Sequence, residues 1–229
     1  MRPHHCHYLL VSVRNIFIFW TAGAGMREST IPNVECEVIK GRANKERWVL
    51  FGICVANKPA NKTAEKLDGF LDWYRFSNET PFQIVAHNID CSGFMATLRL
   101  FKFGQYTRIE RAFREVTKLD VEKDLSVERL ESIPGIGPKT ARMLMLYIDP
   151  DLKVVPLDTH VLKYLRLMNV SGVPKSTPPK GKTYKRLEDI FIAEAVAQGK
   201  SVRQLDTEVW QAYSSGDLSK LPQPMRLIN

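Results

Sequence analysis

"IPGIGPKTARML", residues 133–144, sets two glycines, two prolines and one lysine at the mouth of an apolar run. The segment before it, "LSVERLESI" (125–133), and the segment after it, "KTARMLMLYI" (139–148), both carry apolar residues at helical spacing. The stretch therefore reads as a tight turn between two helices. Glycines at 135 and 137 let the backbone approach a partner in conformations that a Cβ resists. Pro138 suits a first helical turn, because the amide it lacks is one the helix leaves unpaired anyway. The free amides and dipole of such a helix start favour an anion. Gly135, Ile136, Gly137 and Thr140 are thus expected to form a hairpin that grips the phosphate backbone of a polyanion. Lys139, in the same first turn, has a plain alternative as a solvated side chain.

Outward from this turn, helices dominate. "ERWVLFGICVANKPANKTAEKLDGFL" (46–71) reads as a buried helix, a turn around residues 57–59, and a second, amphipathic helix with Asn61 as its cap. "TPFQIVAHNI" (80–89), "SGFMATLRLF" (92–101) and "TRIERAFREVTKL" (107–119) follow as further helices. Residues 171–185, rich in Pro, Gly, Ser and Lys, form a loop. Two last helices, "YKRLEDIFIAEAVAQG" and "VRQLDTEVWQAYSSG", each close on a glycine suited to a left-handed cap. Few segments alternate as strands do, so the fold is expected to be all-α.

A chain of 229 residues can bury one sizeable core or build two compact lobes. Its 33 Lys and Arg against 25 Asp and Glu give a net charge of +8, which favours polyanions through counterion release. Cys6, Cys36, Cys54 and Cys91 lie far apart and form no Cys-x-x-Cys pair, so a local zinc or iron–sulfur site is excluded. No metal and no cofactor are expected, and reduced cysteines fit an intracellular protein. "YLLVSVRNIFIFW" (8–20) is apolar, but it is too short for a membrane span and is interrupted by Arg14 and Asn15. With Arg2 before it and "TAGAG" after it, it imitates a secretory signal. A flexible tail over residues 1–28, or a translated upstream extension, is the preferred reading, since Met26 opens a more ordinary N-terminus.

The residues "LESIPGIGPKTARML" (130–144), followed by "VVPLDTHVLKYL" (154–165), resemble the helix-hairpin-helix and aspartate signature of the endonuclease III superfamily of DNA base-excision glycosylases. The resemblance implies that Lys139 marks a bifunctional member, one that cuts the glycosidic bond and then the strand. It likewise implies that Asp158 is the aspartate shared by nearly all members. The chemistry fits these residue types. A primary amine can attack the sugar C1′ and expel the base, and the resulting Schiff base permits β-elimination of the 3′ phosphate. Attack requires the neutral amine, which a helix N-terminus and nearby cations such as Arg142 would favour. Asp158 would stabilise positive charge on the sugar and manage the amine's proton. It is equally suited to cap the helix beginning at Thr159, and His160 reads as structural.

"ICVANKPAN" (53–61) resembles the turn of eukaryotic 8-oxoguanine glycosylases in which an asparagine fills the gap left by the extruded base, and Asn57 is the candidate. Asp206 and Trp210 lie at i, i+4 on "QLDTEVWQAY" (204–213), which resembles the last helix of short prokaryotic 8-oxoguanine glycosylases and would line the base pocket. The C-terminal four-cysteine cluster of typical endonuclease III is missing. So is the terminal lysine of some short enzymes, since this sequence ends in "LIN". Lys175, Lys180, Lys182, Lys185 and Arg186 are expected to form a solvated basic loop near the DNA; Arg99, Lys102, Arg108 and Arg111 are further candidate backbone contacts, with a solvated helix face as the alternative, and Tyr106 is a candidate aromatic contact.

The resulting expectation is an all-α protein of two lobes, residues 50–138 and residues 29–49 plus 139–229, flanking a DNA cleft. It would act as a monomer on double-stranded DNA containing a damaged base, with no membrane partner. The favoured substrate is 8-oxoguanine, with an oxidised or modified pyrimidine as the alternative. The rival class is a non-catalytic helix-hairpin-helix module, which needs no Lys and Asp in register.

Overall fold

The computed structural model describes residues 38–56, 58–75 and 78–225. The proposed tail (1–28) and the wedge candidate Asn57 lie outside the described residues. In chain order the helices are α1 (Arg42–Cys54), α2 (Ala60–Tyr74), α3 (Pro81–Asn88), α4 (Phe94–Leu100), α5 (Tyr106–Val116), α6 (Val127–Glu131), α7 (Pro138–Ile148), α8 (Thr159–Leu167), α9 (Lys182–Ala197) and α10 (Val202–Ser215). A 3-10 turn, Leu218–Lys220, follows. No strand occurs among the described residues, so the fold is all-α as expected.

Two apolar cores organise these helices. The first gathers α1 to α6 and the inner face of α7 around Phe70, whose ring meets Phe94, Phe101 and Phe103 edge-on at 5.6, 6.0 and 5.6 Å. The second joins α8, α9 and α10 around Tyr164, Leu187, Phe191 and Leu205. Helix α7 serves both, placing Leu144 and Met145 in the first core and Leu146 in the second. Trp48 and Val49 of α1, which the sequence reading set apart from residues 50–138, lie in the first core.

Polar groups fix the helix ends. Glu46 is buried on α1, and its carboxylate accepts the Phe82 N–H at 3.0 Å, placing negative charge at the α3 N-terminus. Thr80 and Gln83 close a capping box on that helix, with Pro81 in its first turn. Helix α2 departs from expectation. It begins at Ala60 behind Pro59, so Asn61 falls inside the first turn and caps nothing. The fixed φ of proline already sets the entry to the helix. The loop over residues 171–181 is tied down by Arg186 on the Ser171 carbonyl (2.9 Å) and by the Thr177 hydroxyl on the Leu157 carbonyl (2.7 Å). No described helix is long and apolar enough to cross a membrane.

Helices α1 and α7 cross closely. Trp48 Nε1 donates to the Leu144 carbonyl at 3.1 Å. A Cβ at Gly52 would lie 2.6 Å from Leu144 Cδ2, and Leu144 is itself fully buried. Gly52→Ala is therefore expected to destabilise the protein by about 1–3 kcal/mol through overpacking, read as a lower urea midpoint at unchanged slope.

Candidate active site

The hairpin closes with the Ile136 N–H on the Ile133 carbonyl at 3.0 Å. Gly135 has φ +94°, and a Cβ there would meet Arg108 Cγ at 2.8 Å, so both conformation and space require glycine. Gly137 departs from expectation: its φ is −89°, and a Cβ there would meet nothing within 4 Å. It stands as the N-cap of α7 and offers no side chain to that helix's first amides. Ile136 is buried in the first core and anchors the turn from beneath, while Gly135 and Gly137 stay exposed. Arg108, a candidate for phosphate, is engaged inside the fold. Its guanidinium donates to the carbonyls of Ile53 (2.7 Å) and Gly135 (2.8 Å), which staples the end of α1 to the hairpin.

Lys139 is half-buried in the first turn of α7. Its amine reaches Met143 Sδ at 3.5 Å and forms no ion pair among the described residues. Asp158 is the N-cap of α8, one Oδ1 accepting the N–H groups of His160 (2.8 Å) and Val161 (2.9 Å). The capping role fixes the carboxylate's position with its second oxygen free of those bonds. Asp206, from α10, completes the group. Only 7% exposed, it feels both the charge of Asp158 and that of Lys139. Burial first, and then the Asp158 charge, push its carboxyl well above the usual range, with Lys139 pulling the other way. An amine from α7 and a carboxyl from the start of α8 are thus both felt by the buried carboxyl from α10.

Trp210 lies one turn beyond Asp206 and is 38% exposed, available as an aromatic surface beside the site. His160 stacks on Tyr213, with centroids 5.6 Å apart and planes 15° from parallel.

Arg142 is not a bare cation beside Lys139. It is bonded to Glu131 of α6 and to Glu188 of α9 (2.8 Å), and its charge is neutralised by that pair. Burial raises the Glu131 carboxyl, but its bonds to Lys180 and Arg142 outweigh this and leave it below the usual range. Other basic candidates also have intramolecular partners: Lys180 pairs with Glu131 (2.5 Å) and Lys185 with Asp189 (2.7 Å), while Arg99 covers the Tyr106 ring at 5.5 Å. Cys54 is buried, which pushes its thiol up to about 12 and leaves it unreactive. No cluster able to hold a metal occurs among the described residues.

Sequence reading missed Tyr184, Glu188 and Thr177, which grip the backbone just before Asp158. The available signal was a pair of glutamates, Glu188 and Glu194, at helical spacing with the apolar Tyr184, Leu187, Phe191 and Ala195 on the buried face of α9.

This hairpin and its carboxylates sit in a helical architecture shared with a DNA glycosylase. The chain is similar to the crystal structure of 8-oxoguanine DNA glycosylase from Methanocaldococcus jannaschii, with a TM-score of 0.56 and 19% identity over 78% of this chain and 81% of that one. At that identity the likeness establishes the fold. No family model and no curated protein matches the sequence.

The raised Asp206 carboxyl has a stability consequence. In the folded state it holds its proton above about pH 4, where the unfolded side chain has lost it. The folded state then binds more protons, so this group makes stability fall as pH rises from that point through the folded value. Asp206→Asn should remove that component. The check is the urea midpoint from about pH 4 to 8, where the variant's stability is expected to gain on wild type as pH rises.

Proposed function

We propose that this protein is a DNA base-excision glycosylase with lyase activity, acting on an oxidised base in double-stranded DNA, with 8-oxoguanine the favoured lesion. The observation that carries this reading is that buried Asp206 lies within charge range of both Asp158 and Lys139, the latter in the first helical turn after the glycine hairpin. A module that only grips DNA needs the hairpin. It has no use for a Lys and an Asp in register with that hairpin.

In this reading the hairpin amides at Gly135 and Gly137 and the first turn of α7 hold a backbone phosphate, with Thr140 beside them. The damaged nucleotide is turned out of the stack into the space between the two cores. Asp206 and Trp210, on one face of α10, border the base. Lys139 Nζ attacks C1′, the C1′–N bond breaks, and the electron pair leaves with the base. Asp158 lies where positive charge develops on the sugar and accepts the proton released by the amine. The C1′–O4′ bond then opens, O4′ takes up a proton, and the nitrogen lone pair closes the C=N bond of a Schiff base. Loss of a C2′ proton drives β-elimination, and the 3′ phosphate departs. The M. jannaschii protein is named for 8-oxoguanine, and this likeness, together with the position of Trp210, supports the same base here. Asn57 is proposed as the residue that fills the vacated stack, and a monomer suffices for every step.

Lys139→Gln is expected to abolish turnover on an 8-oxoguanine duplex while leaving the dissociation constant for that duplex within about threefold of wild type. Asp158→Asn should slow base release by about 10²–10⁴-fold. Gel assays with 8-oxoguanine and 5-hydroxymethyluracil duplexes check both. Turnover by Lys139→Gln at the wild-type rate would remove the amine from the mechanism, and cleavage of the pyrimidine duplex alone would reassign the base.

A further inference from the structure

Asp158 is delivered by a short non-helical segment, and the hydrogen bonds of that segment point away from α8. The Val155 N–H donates to Glu188 Oε1 at 2.9 Å. The Tyr184 hydroxyl accepts the Leu157 N–H at 3.1 Å and donates to the Val155 carbonyl at 2.8 Å. The Leu157 carbonyl accepts the Thr177 hydroxyl at 2.7 Å. Every one of these partners is a side chain, and two of the three belong to α9. The backbone on either side of Pro156 therefore has no sheet or helix to hold it, and α9 supplies the missing partners.

The same two side chains reach α7. Glu188 Oε1 also accepts Arg142 Nε at 2.8 Å, and the Arg142 guanidinium lies 4.4 Å from the centre of the Tyr184 ring. Arg142 stands three residues after Lys139 on one helix. Glu188 and Tyr184 are 3% and 1% exposed, so solvent does not dilute these contacts. One cluster thus binds the segment carrying the acid and the helix carrying the amine.

We infer that Tyr184 and Glu188 are positioning residues, which fix the reach of Asp158 relative to Lys139 by gripping residues 155–157 on one side and Arg142 on the other. The inference rests on the assignment of Lys139 and Asp158 to the reaction. Neither α9 side chain touches substrate. Their effect falls on the step that most needs the carboxylate at a set distance, the breaking of the glycosidic bond with its positive sugar. Schiff-base formation on an abasic site is less demanding, because the ring-opened aldehyde is already electrophilic and requires the amine alone.

Tyr184→Phe is the direct test, since it keeps the ring under Arg142 and deletes only the hydroxyl. In the full-length protein, single-turnover release of 8-oxoguanine is expected to slow by about tenfold or more. Borohydride trapping on a preformed abasic duplex, and duplex affinity, are expected to stay within about threefold of wild type. Glu188→Gln should show the same split, because its amide oxygen can still accept from Val155 and Arg142 but carries no charge to hold the guanidinium. Base release by Tyr184→Phe within about twofold of wild type, or an equal fall in release, trapping and affinity, would overturn the positioning role. A wild-type protein inert on both duplexes would instead strike the assignment of Lys139 and Asp158, and this inference with it.

Discussion

A guanidinium held away from water has to be matched by negative charge, and Arg142 meets that demand with Glu131 on one side and Glu188 on the other. The three residues come from α6, α7 and α9. Their pairing crosses the boundary between the two apolar cores, where area burial alone is indifferent to small rotations of one core against the other. A buried ion pair is not indifferent: a small displacement leaves charge uncompensated, so the arrangement selects one relative placement of the helices. The catalytic candidates inherit that placement, Lys139 from α7 and Asp158 from the segment that Glu188 holds.

The hairpin meets the same helix at its N-terminus, one turn before Arg142. Gly135 turns over Arg108, whose guanidinium bonds the turn to the Ile53 carbonyl near the end of α1, and Ile136 reaches into the first core. The backbone of the turn is thus presented to solvent by a rigid platform. Trp48 on the Leu144 carbonyl and Gly52 under the Leu144 side chain keep α1 and α7 close enough for this to hold. In the proposed reading the phosphate grip and the amine therefore both depend on the placement of α7.

Local features were legible in the sequence wherever one residue and its immediate neighbours decide the structure. Pro138 at the start of α7, Asp158 as the cap of α8, and Gly216 at φ +76° after α10 were all readable in that way. The positive φ of Gly135 belongs to the same group, whereas Gly137 shows that a glycine in a motif need not be there for its conformation. Long-range pairing was not legible. Arg142 and Glu188 are 46 residues apart, and Arg108 is 55 from Ile53, so charge alone suggested a bare cation beside Lys139 for the first arginine and solvent or phosphate for the second. The acidic character of Asp206 was visible, but its proximity to Asp158 and Lys139 follows from α10 folding back onto α8, which periodicity cannot specify.

The decisive measurement is sodium borohydride trapping on a duplex containing an abasic site, followed by peptide mapping of the adduct. A covalent adduct on the peptide carrying Lys139 is the predicted result, because that amine stands without an ion pair among the described residues at the mouth of the hairpin. An adduct on another lysine, or bound duplex with no adduct at all, would contradict it and leave the hairpin as a DNA grip without chemistry.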